Sequence, residues 1–283
     1  MAPVTVERAL EQAVDRLVRA GIDRAPQEAR ALLAHLTRLS RAQQIADPHR
    51  PLDENLRARF TALVARRENH EPLSHLTGER EFWSLPYHVS SAVLDPRPDS
   101  ETLIEVALDQ FADADDAFTV LDLGTGSGCL LLTILKHRPS ARGVGVDLSP
   151  EALDVAVRNA ARLGVAARAE FICANWGDAL ASGFNLILCN PPYIATDELA
   201  ELAPEVALYE PRHALDGGAD GLSAYRALLP DLARLLQSGG TALLEIGVGQ
   251  ADDVSLMIEK TGLSVSGLYP DLSGIPRCMA VSH

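Results

Sequence analysis

At 283 residues the chain is long for one domain, and the length favours about two. Thirty-nine acidic against 25 basic side chains give a formal net charge of −14. That balance argues against a large non-specific nucleic-acid footprint, which needs lysine and arginine to displace phosphate counterions, and it favours a basic partner. The cysteines, Cys129, Cys173, Cys189 and Cys278, have no CxxC or zinc-type spacing and read as reduced, buried thiols. The opening Met1-Ala2-Pro3 leads into an amphipathic stretch with no signal-peptide pattern, and no apolar run approaches the ~20 residues of a membrane span. A cytoplasmic, monomeric protein with no membrane attachment and no direct nucleic-acid binding is expected. The closest histidine pair, His70 and His75, lacks a framing carboxylate cluster, so no metal site is expected.

Residues 4–70 read as helices. Val6, Leu10, Val14, Leu17 and Val18 make one apolar stripe ending near Gly21, and Ala29, Leu32, Leu33 and Leu36 make a second. Asp53 is placed to cap a third helix with Leu56, Phe60, Leu63 and Val64 on its buried face. A bundle of four or five short helices over residues 1–75 fits. Between 76 and 97 the texture changes: Glu81–Leu85 and Tyr87–Ser90 flank Pro86 and predict a short hairpin or extended connector. Pro96 and Pro98 stiffen the chain on either side of Arg97 and fix where its guanidinium points. A helix follows around Leu103, Ile104, Ala107 and Leu108.

From 98 to 283 a catalytic domain is predicted. Candidate strands lie at 118–123, 142–147, 169–173, 184–190, 241–246, 263–269 and 276–282, with helices near 128–137 and 150–163. Strand and helix alternation requires a mainly parallel sheet with helices on both faces. The last two strands are too close for a helical crossover and should form an antiparallel hairpin at one edge. The prediction is an α/β domain of the class I S-adenosylmethionine-dependent methyltransferase type, seven-stranded and mostly parallel, behind a small N-terminal helical bundle.

Gly124-Thr125-Gly126-Ser127-Gly128 follows a strand and opens a helix with GxGxG spacing, not the GxGxxG of dinucleotide binders. Asp147 ends the next strand, 19 residues after Gly128, where a carboxylate can accept hydrogens from two ribose hydroxyls. Ser149-Pro150 starts the following helix with a capping hydroxyl and a proline in its first turn. Trp176 follows the third strand, and its indole either packs on an adenine face or is an ordinary half-buried tryptophan. After the apolar run Phe184–Cys189 come Asn190-Pro191-Pro192-Tyr193. An amide at a buried strand end, followed by two residues without backbone donors and an aromatic ring, can hold a planar –NH2 group through its hydrogens. Together with the glycine loop and Asp147 it points to S-adenosylmethionine as cofactor.

The chain resembles the HemK family, glutamine N5-methyltransferases that modify peptide chain release factors. The resemblance rests on Glu71-Pro72-Leu73, Pro96-Arg97-Pro98-Asp99-Ser100-Glu101, Leu121–Gly128, Asn190-Pro191-Pro192-Tyr193-Ile194, Glu210-Pro211-Arg212, Gly217–Gly221 and Glu245-Ile246-Gly247. It implies a helical substrate-recognition domain joined by a β-hairpin to the catalytic domain. It places the cofactor loop on Gly124–Gly128, the ribose carboxylate on Asp147, an aromatic cofactor contact on Trp176, and the substrate glutamine on Asn190, Pro191, Pro192 and Tyr193, with Asn190 also near the cofactor. The implied substrate is the Gly-Gly-Gln loop of class I release factors. The sequence departs from the family where Asp99-Ser100 replaces the usual Glu-Thr, where Asn175 replaces an aspartate, and where Asp95 replaces an aliphatic residue.

In the implied chemistry Asn190 Oδ1 and the Pro191 carbonyl accept the two hydrogens of the substrate amide, with Asn190, Pro191 and Tyr193 as the catalytic set. The 194–221 stretch is long for a loop; it either shapes the mouth through Glu210, Arg212 and Gly217-Gly218 or is an ordered surface excursion. Alternatives are a ribosomal-protein glutamine methyltransferase, an adenine-N6 nucleic-acid methyltransferase, which would need a basic face, and a catalytically idle binding module on the same scaffold.

Overall fold

The computed structural model describes residues 4–178 and 180–283. The chain divides into two units, Met1–Gly78 with Ala203–Tyr209, and Glu79–Leu202 with Glu210–His283; residues 1–3 of the first lie outside the described residues. This differs from boundaries at 75 and 97: the hairpin belongs to the second unit, and a distant segment returns to the first.

The first unit opens with five helices: α1 (Val6–Arg19), α2 (Ala25–Thr37), α3 (Arg41–Ala46), α4 (Glu54–Glu68) and α5 (Leu73–Thr77). Asp53 caps α4 by accepting from Leu56 N at 2.8 Å, as its position predicts. The core of α1 is Val6, Ala9, Leu10, Ala13 and Leu17, whereas Val18 is 59% exposed. The predicted stripe was therefore turned too far. Two alanines occupy the contact face, letting Leu32 and Leu33 of α2 approach, and the larger Val14 and Val18 fall outside the buried set. Arg67 is buried and paired with Glu28 at 2.5 Å and Glu205 at 2.9 Å, both within this unit.

The second unit begins with β1 (Glu79–Phe82) and β2 (Leu85–His88), an antiparallel pair in which Phe82 faces Leu85. The reversal falls on Trp83-Ser84, not at Pro86. Both turn residues have positive φ, 50° and 57°, as a two-residue hairpin turn demands. Pro86 lies inside β2 opposite Glu81, and in a two-stranded sheet each strand is an edge that tolerates a proline. Then follow α6 (Glu101–Gln110), β3 (Thr119–Leu123), α7 (Cys129–His137), β4 (Arg142–Asp147), α8 (Pro150–Leu163), β5 (Ala169–Cys173) and β6 (Phe184–Cys189). The short α9 (Pro204–Tyr209) is the segment that belongs with the helical unit. The chain finishes with α10 (Ser223–Leu235), β7 (Leu236–Glu245), α11 (Ala251–Glu259), β8 (Ser264–Pro270) and β9 (Pro276–Ser282).

The seven strands after the hairpin form one sheet in the order β5-β4-β3-β6-β7-β9-β8. Pairings from β5 through β7 are parallel, and β9 lies antiparallel between β7 and β8. This is the predicted seven-stranded, mostly parallel architecture with its antiparallel edge. The order reverses between β3 and β6, so a crevice opens beyond their carboxyl ends. One side of the sheet packs Leu131, Leu132 and Ile134 of α7 with Leu103 and Ile104 of α6; the other packs Leu228, Leu229 and Leu232 of α10 with Val254 and Ile258 of α11. Cys189 and Cys278 are buried as expected, but Cys173 is exposed at the end of the edge strand β5 and Cys129 is half-buried. Among the described residues no helix is long and apolar enough to cross a membrane.

Candidate active site

The glycine loop occupies the gap between β3 and α7. Gly124, Gly126 and Gly128 all have positive φ, at 75°, 53° and 80°. At Gly128 a Cβ would also lie 2.8 Å from Leu132 Cδ1, so conformation and space both require glycine there. At Gly126 nothing lies within 4 Å of a built Cβ, so the loop backbone faces open space. Asp147, at the end of β4, accepts from Gly126 N through Oδ2 and from Ser149 N through Oδ1, each at 2.9 Å. Ser149 Oγ in turn caps α8 by accepting from Ala152 N at 3.1 Å.

Two buried polar residues brace the loop from below. Asp122 is fully buried within β3 and accepts from Thr125 Oγ1 at 2.7 Å and Leu131 N at 3.3 Å. Burial pushes its carboxyl up to about 7. Asn159 of α8 is also fully buried. Its Oδ1 accepts from His88 N at 2.7 Å, and its Nδ2 donates to the carbonyls of His88 at 2.9 Å and Ser127 at 2.8 Å. The hairpin and the glycine loop therefore share one anchor.

A cavity lies over these elements, lined by Gly124, Thr125, Gly126, Ser127, Asp147 and Trp176, and on its other flank by Asn190 and Pro192. The Trp176 ring lies against Gly124, its Cζ3 3.8 Å from where a Cβ would stand. Asn175 also lines the cavity. Gly128 and Pro191 are not in the lining, and Pro191 is buried.

Tyr193 departs most from its expected place. It does not line the cavity, and its hydroxyl donates to Glu245 Oε1 at 3.1 Å. Asn190 Nδ2 donates to Ser100 Oγ at 3.1 Å, and Ser100 Oγ donates to Glu245 Oε2 at 2.5 Å. With Nδ2 engaged, Asn190 Oδ1 accepts no hydrogen bond among the described residues and is the open end of the amide. Glu245 is 0% exposed; burial raises its carboxyl above the ordinary value, opposed by the hydroxyls of Ser100 and Tyr193 and the charge of Arg277. Ser100 and Glu245 were not among the residues given a role from sequence. The available signal was a carboxylate directly after the apolar run Ala242-Leu243-Leu244.

The 194–221 stretch is not structureless. It carries 3-10 turns at Glu198–Glu201 and Arg212–Ala214 as well as α9, and Ile194 bridges to Asp216. Pro211, His213 and Ala214 line the cavity, while Arg212 is exposed beside Asp216. Arg97 Nη2 donates to Glu210 Oε2 at 2.6 Å. Burial pushes the Glu210 carboxyl from 4.5 up to about 7, against the pull of Arg97. A carboxyl raised in this way binds a proton on folding between those pH values, so its contribution to stability falls as the pH rises through that window. Arg97→Met is therefore expected to lower the melting temperature more at pH 8, where it removes the partner of an ionised Glu210, than at pH 5.5, where Glu210 is mostly protonated. Equal losses at both pH values, read by calorimetry, would contradict this pairing.

The open glycine backbone, an acceptor-only carboxylate at the end of β4 and an aromatic ring over the loop suit an adenosine-containing cofactor with ribose hydroxyls. Comparison with known proteins agrees. Residues 8–78 match the family described as PrmC N-terminal domain, and residues 114–245 match a methyltransferase domain. The chain is 47% identical over 272 residues to the release factor glutamine methyltransferase of Cereibacter sphaeroides, covering 96% of each chain. It is 44% identical to that of Rhodospirillum rubrum, covering 96% of this chain and 83% of the relative. A solved methyltransferase from Pyrococcus furiosus superposes with a TM-score of 0.51 at 16% identity, over 81% of this chain and 98% of that one. The hMettl16 catalytic domain, solved in complex with MAT2A 3'UTR hairpin 6, superposes with a TM-score of 0.58 at 14% identity, over 78% of this chain and 81% of that one. At such identities the last two speak for the fold alone.

Proposed function

The chain belongs to the release factor glutamine methyltransferase family, and from that premise we propose that it methylates N5 of the glutamine in the Gly-Gly-Gln loop of class I peptide chain release factors. S-adenosylmethionine is the cofactor; when bound it supplies an electrophilic methyl group, its sulfur keeping the bonding pair as S-adenosylhomocysteine leaves. The observation that carries the reading is the orientation of Asn190: a side-chain amide at the end of β6, beside the glycine-loop cavity, with its nitrogen tied back to Ser100.

The nitrogen of a glutamine amide is a poor nucleophile because its lone pair is delocalised into the carbonyl. Asn190 Oδ1 and the Pro191 carbonyl accept its two hydrogens, which fixes the amide plane and increases electron density on nitrogen. Gly124–Gly128, Asp147 and Trp176 would hold the cofactor. Positioning of this kind is worth roughly 7–11 kcal/mol in favourable cases. As the new N–C bond forms, the nitrogen becomes acidic and releases a proton to water, so no strong base is required. Tyr193 supports the site from behind through Glu245. The protein acts as a cytoplasmic monomer on a protein substrate, and its net charge of −14 disfavours a nucleic-acid footprint.

The test is transfer of labelled methyl from S-adenosylmethionine to a purified class I release factor, beside its loop Gln→Ala variant and a nucleic-acid control. Label in the wild-type factor alone is the expected result. Label in nucleic acid would keep fold and cofactor and overturn the substrate.

A further inference from the structure

The two ends of an asparagine amide are nearly the same size but opposite in hydrogen-bonding sense. Only one of its two orientations can receive a substrate –NH2. With Oδ1 outward Asn190 accepts; with Nδ2 outward it would set donor against donor. Packing alone discriminates poorly between the two, so the choice must come from what the inner end meets.

Here the inner end meets Ser100, a single hydroxyl with one hydrogen to give. Ser100 is 3% exposed, and its Oγ lies 2.5 Å from Glu245 Oε2 and 3.1 Å from Asn190 Nδ2. Glu245 accepts the Ser100 hydroxyl on one oxygen and the Tyr193 hydroxyl on the other, so the hydrogen of Ser100 goes to Glu245 and leaves lone pairs facing Asn190. Only Nδ2 can then pair with Ser100. We propose that Glu245, acting through Ser100, is the positioning residue that decides which end of the Asn190 amide faces the substrate. The other oxygen of Glu245 takes the hydroxyl of Tyr193, so one buried carboxylate sets both polar members of the Asn-Pro-Pro-Tyr turn. Burial raises the Glu245 carboxyl above its ordinary value, while the two donated hydroxyls and the charge of Arg277 oppose that rise; the order of donors is read from the geometry, in which both hydroxyls point at Glu245 oxygens. The inference rests on reading Asn190 as the acceptor for the substrate amide.

Ser100→Ala and Ser100→Thr test it. In single-turnover assays with labelled cofactor and release factor, Ser100→Ala is expected to slow transfer by about 10- to 100-fold with cofactor Kd within a few-fold of wild type, and to lower the melting temperature because Glu245 loses a buried hydrogen bond. Ser100→Thr keeps the hydroxyl and should restore the rate to within a few-fold. A second readout does not depend on turnover: the side-chain amide signals of Asn190 in 15N-labelled protein, identified by their loss in Asn190→Ala. They should shift and exchange faster with solvent in Ser100→Ala but remain near wild type in Ser100→Thr. A wild-type rate in Ser100→Ala, or Asn190 amide signals indifferent to it, would overturn the relay. Failure of the wild-type enzyme to label the release factor would instead overturn the substrate assignment, and the amide signals would still decide the relay.

Discussion

Replacing Asn190 by aspartate is expected to slow methyl transfer by about a thousandfold, some 4 kcal/mol in the barrier, while cofactor affinity changes by no more than about threefold. The inner end of the side chain sits 3.1 Å from Ser100 Oγ, which already gives its hydrogen to Glu245. In the variant, an ionised carboxylate would face Ser100 lone pairs with lone pairs of its own, and would add a negative charge close to the buried Glu245. Only the protonated acid could donate inward and still present a carbonyl outward. The residual rate of the variant should therefore rise as the pH falls, opposite to the direction expected if a general base were being protonated. Rates of release-factor labelling between pH 6 and 9, with cofactor affinity by calorimetry, check both parts. Turnover within about tenfold of wild type at neutral pH would remove Asn190 from the centre of the mechanism.

Asp147→Ala should act on the other half of the reaction. Its carboxylate holds Gly126 N and Ser149 N, and still has lone pairs for the hydroxyls of a bound ribose. Hydrogen bonds to a charged group contribute about 1.5–3 kcal/mol each, so losing such contacts to the cofactor should weaken its binding by at least about 100-fold. Turnover at saturating cofactor should recover to within about tenfold, because Asn190 and its supports are untouched. The two substitutions thus separate an effect on rate from one on affinity. An unchanged cofactor Kd in Asp147→Ala would show that this carboxylate serves only to shape the loop.

What could be read from the sequence is what neighbouring residues encode. The glycine loop is legible because its spacing and the flanking strand and helix sit within one short segment, and Asn190 because a polar amide ends an apolar strand. The fold followed from the same local patterns, although β7 starts at Leu236 where its polar, glycine-containing first half hides the pairing of Leu236 with Phe184. The support behind Asn190 was illegible for a geometric reason. Ser100 and Glu245 are 145 positions apart, and no local pattern announces that they touch. Nor did local composition place the hairpin turn: proline drew it to Pro86, while Trp83-Ser84 adopts the left-handed conformation without a glycine. On α1, residue size misled the choice of buried face, since the small Ala9 and Ala13 make the contact.

The placement of β9 between β7 and β8 has a consequence for biosynthesis. A nascent chain made as far as Pro270 has both of the strands that will flank β9, yet nothing to join them, and β7 keeps an open edge. Arg277, whose charge favours the ionised form of Glu245, has not yet been added. The sheet and the electrostatic support of the site are therefore completed in the same late step of translation. A chain released before Pro276 would lack that cation and leave the β7 edge, including the position of Glu245 opposite Cys278, unpaired and open to other chains, so it is expected to be inactive and prone to aggregation. Activity is therefore expected only once the chain has been read through β9.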